Sequence, residues 1–138
     1  MDNTPIVLAY SGGLDTSFCI PWIKENYGRD VITVTIDTGG FDEENKKNIK
    51  KRAINLGAKQ HYLLDSKDEY FEEIIKYLIA GNIKKGQLYP LCVGAERGLQ
   101  AKRLASFMLE KNLSTVAHGC TAAGNDQIRF DVALKTIN

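Results

Sequence analysis

Apolar positions along the chain alternate between two spacings. Short runs at 6–9, 31–36, 61–64 and 114–118 read as strands. The apolar run at 6–9 and the β-branched run at 31–36 predict buried strands. Between them, apolar residues recur at helical spacing. Residues 15–27 predict a helix ending at Gly28, with Pro21 awkwardly inside it and expected to kink it. Residues 42–56 predict a charged helix with Ile49, Ala53, Ile54 and Leu56 inward and Gly57 as its stop. Ser66 and Glu69 have capping-box spacing, opening a helix with Phe71, Ile74, Ile75, Leu78 and Ile79 on its inner face. Residues 81–91 read as irregular. Residues 95–111 predict a further helix with Leu99, Leu104 and Met108 among its apolar positions. After a loop of small residues at 119–124, Asn125 is placed to cap a last helix in which Ile128 and Val132 share a face.

Strand and helix in this alternation imply a parallel, doubly wound α/β sheet with helices on both faces. Such sheets bind ligands at the carboxyl ends of their strands, near the point where strand order reverses. The segments just after each strand, 10–16, 37–40 and 118–126, are therefore the candidates. No strand follows the last helix. The expectation is either a small sheet or the N-terminal portion of a longer protein.

Composition narrows the function classes. The 138 residues are enough for one hydrophobic core, so residues 1–138 read as one domain. Lys and Arg number 18 against 17 Asp and Glu, giving 18 − 17 = +1. That balance argues against a globally basic nucleic-acid binder. No run reaches the ~20 apolar residues of a membrane span, and no basic stretch precedes the first apolar run as in a secretory signal. Cys19, Cys92 and Cys120 are odd in number and widely spaced, and only His61 and His118 could join them at a metal. Reduced thiols in a cytoplasmic protein, with no structural metal site, are the expectation.

The sharpest chemical signal is Ser11-Gly12-Gly13-Leu14-Asp15-Thr16-Ser17, which follows a strand and opens a helix. The glycines let the backbone turn tightly. Unpaired N–H groups at a helix start favour an anion, and the hydroxyls of Ser11, Thr16 and Ser17 add donors. Phosphate or pyrophosphate fits this chemistry. The loop has neither the Lys-Ser/Thr of a Walker A loop nor the spacing of a dinucleotide loop. An ordinary strand-to-helix turn, with Asp15 favourably placed near the helix dipole, is the alternative.

The segment resembles the pyrophosphate loop of the N-type ATP pyrophosphatases, which cleave ATP between its α and β phosphates. A second stretch, His118-Gly119-Cys120-Thr121-Ala122-Ala123-Gly124-Asn125-Asp126-Gln127-Ile128-Arg129-Phe130, resembles the argininosuccinate synthase family, which reads HGCTGKGNDQVRFE there. Ala9-Tyr10 and Tyr89-Pro90-Leu91 match as well. The resemblance implies a Rossmann-like, adenine nucleotide alpha hydrolase-like fold and roughly the first third of a cytoplasmic, tetrameric ligase of arginine biosynthesis. That ligase joins citrulline to aspartate through citrullyl-AMP, using ATP and magnesium. It implies that Ala9, Tyr10, Ser11, Gly12, Gly13, Leu14, Asp15, Thr16, Ser17, Ile36 and Gly119 bind ATP. Thr121, Asn125 and Asp126 would hold aspartate; Tyr89, Gly94, Asn125 and Arg129 would hold citrulline. Asp15, Asn125 and Asp126 stand nearest the chemistry. No residue pair marks magnesium ligands. Asn125 and Arg129 are one helical turn apart and can face one pocket.

Two departures stand out. Ala122-Ala123 replaces the family's Gly-Lys, and Gly94 falls where the family has a citrulline-binding serine. Arg97 matches a family arginine, but Glu96 and Gly98 do not match its usual neighbours. A tRNA thiolation enzyme of the same superfamily and a non-catalytic ATP-binding sensor are the competing readings. The basic run Lys46, Lys47, Lys50, Lys51 and Arg52 reads as a solvated helix face, Cys120 reads as structural, and for His118 a hydrogen-bonded structural role and catalysis both stand.

Overall fold

The first strand, β1 (Ile6–Ala9), lies inside a four-stranded parallel sheet. The computed structural model describes residues 3–82, 84–85, 89–90, 92–120 and 124–137, with the backbone alone at 84–85, 89–90, 93 and 137. After β1 come α1 (Leu14–Tyr27), β2 (Val31–Asp37), α2 (Glu43–Asn55) and β3 (Gln60–Asp65). Then follow α3 (Lys67–Tyr70), a π-helical segment (Phe71–Ile75) and α4 (Lys76–Gly81). The short strands β4 (Lys84–Lys85) and β5 (Tyr89–Pro90), α5 (Cys92–Glu110), β6 (Val116–His118) and α6 (Asn125–Ile137) complete the order.

The sheet order is β3-β2-β1-β6. The chain builds outward from β1 to β3, then returns to β1's free side with β6. The reversal point therefore lies between β1 and β6. Ala9 is the level mark, paired in register with Val34 on one side and His118 on the other.

Alternation along β1 feeds two cores. Ile6, Leu8 and Tyr10 pack with Ile20 and Ile23 of α1 and Ile49 and Ala53 of α2. Val7 packs with Ile32, Val34, Ala101, Leu104, Phe107 and Met108 of α5 and Phe130 of α6. Helices thus cover both faces, as the continuous apolar strands require. Each fully buried Leu or Ile stabilises this arrangement by roughly 1.5–3 kcal/mol.

Several local expectations are corrected. Ser66 makes no capping bond: it is buried, and its hydroxyl accepts from Arg103 Nε at 3.1 Å. The π-helical segment alters the helical period that was to set one inner face, and Phe71 and Ile79 are exposed. Residues 84–85 and 89–90 pair as an antiparallel ribbon inside the stretch read as irregular. α5 starts at Cys92 rather than at 95, and β6 starts at Val116 rather than at Ser114. In α2, Ile54 points outward at 43% exposure, leaving Ile49 and Ala53 as the buried stripe. Asn125 is the first residue of α6 rather than its cap; the Gly124 carbonyl accepts from Ile128 N–H at 3.2 Å. Ile128 and Val132 do share a face, but the exposed one, while Phe130, Ala133 and Leu134 turn inward. Pro21 is accommodated on the exposed side of α1.

Candidate functional site

At the carboxyl ends of β1, β2 and β6 lies an open cleft of about 730 Å³. On one side is the loop from Tyr10 into α1. Gly12 has φ +76° and Gly13 precedes the helix with no side-chain cap. The first intrahelical bond is Ser17 N–H to the Gly13 carbonyl at 3.0 Å, so the N–H groups of Leu14, Asp15 and Thr16 have no intrahelical partner. The hydroxyls of Ser11 and Thr16 lie 3.1 Å apart, and Ser11 Oγ also accepts from Gly13 N–H at 3.2 Å. Behind them, Tyr10 OH and Ser17 Oγ are 3.0 Å apart, while Thr35 Oγ1 donates to the Tyr10 carbonyl at 2.6 Å. An uncapped helix start backed by a fixed network is suited to an anion.

The opposite wall is the turn after β6. A Cβ on Gly119 would sit 2.8 Å from Thr16 Cγ2, so only glycine lets this turn close on the first turn of α1. Asn125, Asp126 and Arg129 of α6 line the cleft together, as their one-turn spacing predicts. Asp126 lies between two guanidinium groups, 3.4 Å from Arg97 Nε and 3.2 Å from Arg129 Nη1. His118 Nε2 meets Asp131 Oδ1 at 2.8 Å, and Gln127 Nε2 donates to the other oxygen at 2.8 Å. The His118 bond, then the Gln127 bond, hold the Asp131 carboxyl below the usual carboxylate range. Burial raises the Cys120 thiol, with the charges of Asp126 and Asp131 adding to it against the opposing pull of Arg97. A thiol held protonated is a poor nucleophile, in line with the structural reading of Cys120.

The structure gathers some predicted residues and separates others. Ala9, Tyr10, Ser11, Thr16, Ile36, Gly119, Asn125, Asp126 and Arg129 all line the one cleft. Leu14 and Asp15 open instead on a shallow hollow beyond Gly119, shared with Phe18, Cys19 and Cys120. Gly12, Gly13 and Ser17 line neither hollow. Gly94 lies against Arg129, and the Tyr89 backbone lies in β5. Thr121 and Ala122-Ala123 fall outside the described residues. Sequence reasoning missed the far wall: Thr38 Oγ1 donates to Glu96 Oε1 at 2.6 Å, Gln100 Nε2 donates to the same oxygen at 3.1 Å, and Arg97 Nη1 donates to Gln100 Oε1 at 2.9 Å. The spacing of Glu96 and Gln100, four apart, was the available signal.

A doubly wound sheet with a strand–glycine loop–helix unit at its reversal point defines an α/β domain of the HUP class. The description "Arginosuccinate synthase N-terminal HUP domain" matches residues 5–138. The chain belongs to the argininosuccinate synthase family. It is 46% identical over 132 residues to the argininosuccinate synthase of Dehalococcoides mccartyi, covering 96% of this chain and 32% of that protein. It is 44% identical to the enzyme of that name from Sulfurisphaera tokodaii, covering 96% of this chain and 33% of that protein. The chain thus spans about a third of the length of the curated relatives it matches. Among solved structures, the NH3-dependent NAD synthetase of Campylobacter jejuni shares the fold, with a TM-score of 0.63 and 12% identity over 88% of this chain and 49% of that one. A predicted subunit of a tRNA methyltransferase from Methanocaldococcus jannaschii does so at a TM-score of 0.60 and 21% identity, over 88% and 55%. No helix among the described residues is long and apolar enough to cross a membrane.

Proposed function

We propose that residues 1–138 form the nucleotide-binding portion of a longer cytoplasmic argininosuccinate synthase, a homotetramer that joins citrulline to aspartate at the expense of ATP. The observation that carries this reading is the pairing of two walls on one cleft. One is an uncapped helix start with Ser11 and Thr16 beside it; the other sets Arg97, Asp126 and Arg129 within ion-pair distance.

In this reading the phosphates of ATP lie against the start of α1, with the adenine toward Ile36. The citrulline ureido oxygen attacks the α-phosphorus, pyrophosphate leaves, and the aspartate amine then displaces AMP. The chain supplies position and charge rather than a covalent partner. Arg129 receives a substrate carboxylate, for which a guanidinium offers paired donors. Asp126 is released to take an ammonium group, and Asn125 bonds to both substrates. Among the described residues no cluster of three His, Cys, Asp or Glu could hold a metal. Magnesium would therefore enter on the phosphates, keeping much of its water shell. The raised Cys120 thiol weighs against the thiolation alternative.

The test follows pyrophosphate release from MgATP by the full-length protein carrying this chain, with citrulline, with aspartate, with both and with neither. Release that requires citrulline is expected. ATP binding without release under any condition would overturn the reading. The 138 residues alone are expected to bind MgATP weakly and turn over little.

A further inference from the structure

We propose that Arg52 is a positioning residue for the anion-binding loop, acting from α2 through the Gly12 peptide. The inference rests on the reading of that loop as a phosphate site. The basic run on α2 read as solvated, and Lys47, Lys50 and Lys51 are indeed exposed. Lys46, half-buried, and Arg52, itself exposed, nonetheless reach back with their charged ends. Lys46 Nζ lies 3.1 Å from the buried carboxylate of Asp37, and Arg52 Nη1 donates to the Gly12 carbonyl.

α2 grips Gly12 at two points. Ile49, one turn before Arg52, fills the space a side chain on Gly12 would need; a Cβ there would lie 2.8 Å from Ile49 Cγ1. Arg52 then fixes the direction of the carbonyl. A trans peptide is planar, so its C=O and the following N–H point opposite ways. Holding the Gly12 carbonyl on Arg52 therefore turns the Gly13 N–H toward Ser11 Oγ, where it is found at 3.2 Å. Ser11 Oγ in turn meets Thr16 Oγ1 at 3.1 Å, and both hydroxyls line the cleft. Arg52 itself does not line the cleft. Its influence passes through one peptide plane to two donors. The same contact draws the Gly12 carbonyl toward α2, so its partial negative charge is neutralised by the guanidinium.

The test compares Arg52→Met, which keeps length but loses charge and donors, with Arg52→Lys, which keeps charge and a donor. Binding of MgATP and of inorganic pyrophosphate is measured by titration calorimetry, and the Gly12 and Gly13 amide resonances are followed by NMR. Arg52→Met is expected to weaken both ligands about tenfold, the loss of one hydrogen bond to a charged group, while shifting the Gly13 amide. Arg52→Lys should restore most of the affinity, which a purely structural role would not require. Should Arg52→Met fail to fold, Arg52→Gln carries the same comparison. Unchanged affinity in Arg52→Met, or an unmoved Gly13 amide, overturns the inference. If the parent chain binds neither ligand, the phosphate reading fails, and the Gly13 amide alone decides whether Arg52 holds the loop.

Discussion

The guanidinium of Arg129 lies against the bare Cα of Gly94: a Cβ there would sit 3.3 Å from Arg129 Cζ and 3.5 Å from Nη2. The space a serine side chain would enter is thus taken by a charged group that also pairs with Asp126. Gly94→Ser is expected to displace Arg129 by a few tenths of an ångström and raise KM for citrulline about three- to tenfold, leaving KM for ATP unchanged. Steady-state kinetics on the full-length protein checks this. A lower KM for citrulline would mean that the missing hydroxyl outweighs the displacement.

Asp126→Asn removes the charge that Arg97 and Arg129 share. Asp126 is partly exposed, so stability should change by no more than about 0.5 kcal/mol. KM for aspartate should rise roughly tenfold or more, with ATP binding intact. Equal losses of aspartate and ATP affinity would contradict the assigned role.

Gly12→Ala meets two obstacles at once, a φ of +76° and the Ile49 side chain. A loss of about 1–3 kcal/mol from the backbone alone is expected in urea unfolding. The double variant with Ile49→Ala should recover none of the backbone part, because space does not relieve a left-handed φ.

His61 titrates far below an ordinary histidine. Burial first, and the charge of Lys50 second, lower its pKa from 6.5 to about 4. Its Nδ1 lies 3.0 Å from Thr33 Oγ1, inside the sheet. The unfolded chain therefore takes up a proton, as pH falls from 6.5 toward 4, that the folded chain refuses. Stability from this group is complete above about 6.5 and is lost progressively below it. His61→Phe should flatten that part of the unfolding profile, while Thr33 keeps its contact with the Gln60 carbonyl.

Much of this architecture is readable from local pattern. β1 and β2, buried almost throughout, leave a continuous apolar and β-branched signature, and the expected bounds of β1, β2, β3 and β6 lie within two residues of those observed. The cleft's two walls were legible because both follow strands, one at a glycine and hydroxyl-rich turn and the other at Gly119 with Asn125 and Arg129 one helical turn apart. What escaped the reading depends on contacts distant in sequence. Ser66 has the local look of a cap, yet Arg103 claims its hydroxyl. Arg52 has the look of a solvated cation, yet it reaches Gly12. Glu96 acquires meaning only once α5 brings it against Thr38. In each case a side chain had a local option and a distant partner, and spacing cannot decide between them.

The position of β1 in the sheet also sets a timetable. Its pairings with β2, and of β2 with β3, involve residues that leave the ribosome by Asp65. Its other edge waits for Val116–His118. Between the emergence of Asp65 and that of Val116 the growing polypeptide therefore has three of the four strands and one wall of a cleft. The cleft lacks its second wall until β6 docks, because its two walls come from the start of α1 and the start of α6. A ligand that touched both walls would favour that closing step by mass action.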